Sequence, residues 1–102
     1  MAYSLSMNSC TSALECAIKC QELKGEIIIP SFTWVSTANA ILNSGCKPVF
    51  ADIESDTFNL NPKNVEEKLT NRTKAILAAD IFGHSCDLEG LKKISLKYNL
   101  KL

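Results

Sequence analysis

Three observations predict an α/β fold with a mostly parallel sheet and helices on both faces. Ile27-Ile28-Ile29 is an unbroken β-branched run, the mark of a strand covered on both sides. Apolar strand-like runs recur from positions 27, 49 and 75, separated by little more than one helix and its turns. Between them, apolar residues fall at helical spacing. The order is βαβαβαβα, and right-handed crossovers would set helices on both faces of the sheet.

Tyr3 to Met7 alternates weakly and reads as a first strand. Asn8-Ser9-Cys10-Thr11-Ser12 then offers capping side chains for a helix over Thr11–Leu23. Ala13, Leu14, Ala17, Ile18 and Cys20 form its apolar stripe, which takes in Cys16 as well, and Gly25 breaks it. After the isoleucine strand comes the loop Pro30-Ser31-Phe32-Thr33-Trp34, at the carboxyl edge where open α/β sheets bind ligands. Trp34, Ala38, Ile41 and Leu42 give a second helical stripe, stopped by Asn43-Ser44-Gly45. Pro48 to Ile53 is a second buried strand. Asn61-Pro62 is an N-cap followed by proline at the first helical position, with Val65 and Leu69 on one side. Ala75 to Ala79 is the next strand, Asp87 caps a helix carrying Leu88, Leu91, Ile94 and Tyr98, and Asn99–Leu102 starts a further strand.

The 102 residues suffice for one small domain, and 46% apolar content supports a core. Eleven basic and eleven acidic residues cancel, so the phosphate-dominated attraction of a nucleic-acid binder is absent. Lys92, Lys93, Lys97 and Lys101 read as a solvated helix face. No run approaches a membrane span and no signal peptide is evident, so no membrane partner is expected. Five cysteines without a secretion signal point to reduced thiols and a cytoplasmic location. On that reading the sequon at Asn71 is a chance match.

The residues alone leave several chemistries open. Ser9 to Ser12 lies between strand and helix, where free N–H groups and hydroxyls suit a phosphate, or simply cap the helix. Trp34 could stack on a planar ring or sit in the core. Asp52 and Asp80 stand near strand ends as candidate acids or as loop carboxylates. His84 with Cys86, or Cys16 with Cys20, match no closed metal-ligand spacing. No glycine falls in a dinucleotide fingerprint or a Walker loop.

Four blocks, in order, resemble the DegT/DnrJ/EryC1/StrS family of pyridoxal-phosphate-dependent sugar aminotransferases. Residues 8–14, Asn-Ser-Cys-Thr-Ser-Ala-Leu, match its S-[GC]-T-x-A-L loop. Residues 29–40 match P-S-F-T-[FW]-V-[AS]-T-A-N-A. Gly45 through Pro62 matches G-[AC]-x-P-V-F-x-D-I-x-x-D-T-F-N-[IL]-[DN]-P. Arg72 to Ile76, then Ile81-Phe82-Gly83-His84 and Asp87, match R-T-K-A-I and its downstream segment. Cysteine stands at position 10 where many relatives have glycine, and the Lys24-Gly25-Glu26 turn is about two residues shorter than the usual one.

The resemblance implies part of a fold-type-I large domain, with residues 1–102 as its incomplete N-terminal portion. It implies pyridoxal 5'-phosphate as cofactor, with Ser9, Cys10, Thr11 and Ser12 at the phosphate and Trp34 against the pyridine ring. It implies a homodimeric parent enzyme that moves an amino group from glutamate to a keto-sugar nucleotide, for cell-surface polysaccharide or secondary-metabolite sugars. The family's E-D-A-A-Q-type aspartate and its Schiff-base lysine belong to later blocks, so this chain alone is expected to be inactive, with no catalytic residue of its own. It also implies that Tyr3–Met7 lacks its native neighbours here and stays loose or pairs wrongly, and that an apolar strand edge is left open. The alternatives are a non-catalytic α/β module that binds phosphate or the cofactor, and a partner of a full-length homologue.

Overall fold

The computed structural model describes residues 3–102. Its elements are α1 (Cys10–Cys20), β1 (Glu26–Pro30), α2 (Val35–Asn43), β2 (Lys47–Ala51), α3 (Pro62–Glu67), β3 (Thr73–Ile76) and α4 (Leu88–Lys97), with a 3-10 turn at Ile81–Gly83. The sheet is parallel, ordered β2-β1-β3, and the isoleucine strand is its centre.

That position explains the run of isoleucines. Ile27 and Ile29 point into a cluster with Ile18 of α1 and Ile41 of α2. Ile28 points the other way, into Leu60, Val65 of α3, Ile76, Leu91 and Ile94 of α4. All five residues of β1 are buried, because successive side chains leave on opposite faces and both faces are covered. The expected β2 differs. It is only half-buried, and Phe50 is exposed, because β2 lies at the sheet edge.

The entry to β1 depends on close backbone approach. Gly25 has φ +142°, and a Cβ there would run into the Arg72 carbonyl oxygen. Its own carbonyl accepts from the Lys47 N–H at 2.9 Å, while the Glu26 N–H donates to Arg72 O at 2.9 Å. One glycine thus lets β1 enter between its two neighbours.

Glu26, buried at this junction, ties the same three segments together. Its carboxylate accepts from the Thr70 hydroxyl at 2.6 Å and meets Arg72 Nη2 at 2.9 Å and Lys47 Nζ at 3.6 Å. The Thr70 hydrogen bond first, and then the two cations, hold its carboxyl below the ordinary glutamate range against the opposing effect of burial. A depressed folded-state pKa gives stability that is present above the unfolded value, about 4.3, and is lost as the pH falls through the folded value. Glu26→Gln is therefore expected to lower the melting temperature at pH 7 and to flatten its fall on acidification. An acid profile parallel to the parent's would refute this role.

Other expectations change too, and the strand expected over Ala75–Ala79 is observed as Thr73–Ile76. Residues 3–7 form no strand and are exposed, as a segment without neighbouring strands would be. α1 ends at Cys20, before Gly25, because Glu22 has already turned to φ 51°. The strand expected over Asn99–Leu102 is a single parallel bridge between Ala75 and Lys101. The caps hold: Asn61 Oδ1 accepts from Lys63 N–H, and Asp87 Oδ1 accepts from Gly90 N–H, each at 2.9 Å.

Candidate cofactor-binding edge

The strands run so that three connections gather at one edge of the sheet. β1 continues into Ser31–Trp34, β2 into the loop before α3, and β3 into Leu77–Asp87. The chain leaves β1 through α2 on one face and reaches β3 through α3 on the other. Such a reversal opens a crevice at the carboxyl ends of the strands. α1 precedes β1 and packs with α2 on one face, and α2 starts at the carboxyl end of β1.

At the start of α1, Ser9 is extended (φ −158°, ψ 157°) and its Oγ accepts from the Ser12 N–H at 3.1 Å. The Ser9 hydroxyl also donates to Ser12 Oγ at 3.0 Å. The first intrahelical bond is Ala13 N–H to Ser9 O. The N–H groups of Cys10 and Thr11 therefore have no intrahelical partner. No acidic residue stands in the first turn to repel an anion. Both the capping reading and the anion-site reading of this loop are physically compatible, since the cap uses Ser9 and Ser12 and leaves the two N–H groups between them.

Trp34 is the N-cap residue of α2 and makes no side-chain capping bond. Its indole is 78% exposed. It is not a core residue, and neither Trp34 nor Leu42 belongs to the buried stripe of α2, which runs through Thr37, Ala40 and Ile41. The strand turns into the helix before position 34, so the ring projects from the edge instead of into the layer.

The Asp80 carboxylate serves its loop. Asp80 Oδ1 accepts from the Cys86 N–H at 3.0 Å, and that bond holds its carboxyl below the ordinary aspartate range. Asp52 contributes its backbone carbonyl to Asn61 N–H. His84 Nδ1 lies 3.2 Å from Ser85 O, and no set of three metal-ligating side chains occurs among the described residues.

Two features escape sequence reasoning. Asn59 is buried, with Oδ1 accepting from Ile81 N–H at 2.9 Å and Nδ2 donating to His84 O at 2.8 Å. It fastens the loop after β2 to the loop after β3. Around it, Phe32, Phe58 and Phe82 meet with ring centroids 5.5 to 6.2 Å apart, one from each strand-end loop. Phe58 and Phe82 take positive φ (60° and 54°), which costs on the order of 1–2 kcal/mol per residue. Their places after strand ends were visible in the sequence; their backbone conformations were not.

The whole chain, residues 1–102, matches the DegT/DnrJ/EryC1/StrS aminotransferase family. The chain belongs to that family. Among curated relatives, a dTDP-3-amino-3,6-dideoxy-alpha-D-galactopyranose transaminase of Aneurinibacillus thermoaerophilus is 42% identical over 80 residues, 78% of this chain and 22% of that protein. Among solved structures, DesI in the presence of its TDP-sugar product is 37% identical with TM-score 0.86, covering 88% of this chain and 23% of that one. NtdA from Bacillus subtilis with bound cofactor PMP is 33% identical with TM-score 0.87, covering 89% and 21%. This DegT/DnrJ/EryC1/StrS chain has the architecture of part of a fold-type-I domain, and spans about a quarter of the length of the curated relatives it matches. No described helix is long and apolar enough to cross a membrane.

Proposed function

We propose that this chain supplies the phosphate loop and the ring wall of a pyridoxal-phosphate-dependent enzyme that aminates a keto-sugar nucleotide. The reading is supported by two helix starts, one with two N–H groups that have no intrahelical partner and the other, at the carboxyl end of β1, bearing an exposed tryptophan. These residues fit the cofactor. The Cys10 and Thr11 N–H groups and the Thr11 hydroxyl would hold the phosphate, Ser9 and Ser12 would keep the loop in shape, and the Trp34 indole would lie against the pyridine ring. The helix dipole adds about 0.3–1 kcal/mol for an anion at that end.

When bound, the cofactor supplies an electron sink for amino transfer. The chain's own residues orient it and shield one face of its ring from water. Glutamate as amino donor, a homodimeric parent, a cytoplasmic location and a role in polysaccharide or secondary-metabolite sugars complete the proposal. The lysine that reacts with the cofactor is assigned to a later block of the family pattern, and the residues of this chain are proposed to bind the cofactor.

Pyridoxamine phosphate is the suitable probe, because it has no aldehyde to react with surface lysines. Trp34 is the sole tryptophan, so all indole emission reports on the ring wall. Saturable quenching, reversed by inorganic phosphate and about 10- to 100-fold weaker for pyridoxamine without its phosphate, is the expected result, since hydrogen bonds to a charged group are worth about 1.5–3 kcal/mol. Quenching that neither saturates nor responds to phosphate would sink the reading.

A further inference from the structure

Cys16 and Cys20 stand one helical turn apart on α1, away from the N-terminal loop. Their sulfurs are 3.8 Å apart. Cys20 is exposed and Cys16 half-buried; Cys20 shares a surface with the apolar residues Leu14, Ala17 and Ile18, and only Ile18 of α1 is buried. Neither is in a disulfide.

The geometry is poor for a disulfide. Side chains four apart on a helix have Cβ atoms about 5–6 Å apart, whereas a disulfide needs roughly 3.5–4.5 Å. It is good for two sulfurs on one atom. Two sulfurs bound at about 2.3 Å to one centre stand roughly 3.4–3.8 Å apart, for angles from about 95° at a pyramidal centre to the tetrahedral value, within a small side-chain adjustment of the spacing here. No third metal-ligating side chain completes a set among the described residues. The centre must therefore need only two protein ligands and bring its remaining substituent with it.

We propose that Cys16 and Cys20 form a bidentate dithiol site for a soft, thiophilic centre of the monosubstituted trivalent arsenical type. With phenylarsine oxide, two As–S bonds form, the As–O bond is broken, and the two thiol protons leave with that oxygen as one water. Arsenic stays trivalent, so no oxidant or reductant is required. Lys19, between the two cysteines in sequence, lies 4.0 Å from Glu15. The S–H···S contact pushes the Cys16 thiol up.

Phenylarsine oxide added to the 102-residue chain should give a one-to-one adduct in which two of the five cysteines resist alkylation. Trypsin cuts after Lys19, between the two ligands, so the arsenic should keep the two resulting peptides joined. A bridge from Cys16 to Cys10 would leave the Cys20 peptide free. Cys16→Ser and Cys20→Ser should each weaken binding about 100-fold or more, because the second sulfur acts at high effective concentration. Peptides that separate after cleavage, or single variants that bind like the parent, would overturn the proposal. The peptide map is made on the parent protein, so it stands even if a variant folds poorly.

Discussion

Cys10→Pro is expected to leave α1 standing and to weaken pyridoxamine phosphate binding by about 10- to 100-fold, the loss of one or more hydrogen bonds to a charged group. Cys10 is the first residue of α1, the position where proline is tolerated and even preferred, because its missing N–H has no intrahelical partner. Ser9, before it, is already extended at φ −158° and ψ 157°, as a residue preceding proline prefers to be. The substitution therefore removes an N–H proposed to face the phosphate while sparing the helix. Circular dichroism should be unchanged and the Trp34 quenching curve should move to higher ligand. Undiminished affinity in a folded Cys10→Pro chain would show that the phosphate does not use this N–H. The same variant separates loss of the site from loss of the fold, which a glycine or a bulky residue at position 10 would not.

Ile28→Ala is expected to cost about 2–5 kcal/mol, enough to unfold much of a domain whose total stability is of order 5–15 kcal/mol. Ile28 is fully buried in the central strand and packs on Leu60, Val65, Ile76, Leu91 and Ile94, which come from a loop, two helices and another strand. Its neighbours are held by separate elements, so they cannot close the cavity together. Leu96→Ala, at a leucine 74% exposed on α4, should stay within about 0.5 kcal/mol. Urea denaturation of the two variants gives the comparison; similar midpoints for both would contradict the packing described.

The candidate site was largely legible because its signals are local. A capping serine, a first-turn residue pair and an aromatic after a strand can each be read within a few residues. The family blocks then linked Ser9–Ser12 with Trp34, which periodicity could not. The exposure of Trp34 was not legible: a tryptophan four residues before Ala38 fits an apolar stripe equally well, and only the point where the chain turns into α2 puts it outside the layer. The Cys16–Cys20 spacing was likewise plain, yet its exposure depends on how little of α1 the sheet covers.

By itself the sequence determined the α/β class, the caps at Asn61 and Asp87, and the central isoleucine strand, because these follow from hydrogen bonding and side-chain period within short segments. The tertiary structure decided which strands are edges. β2 and Ile27–Ile29 both read as buried runs, and only the order β2-β1-β3 exposes Phe50 and encloses the isoleucines. It also decided the Asn59 clasp and the Phe32, Phe58 and Phe82 cluster. Those join loops far apart in sequence, and a left-handed phenylalanine has no local signature, since its backbone strain is held by contacts from elsewhere in the fold.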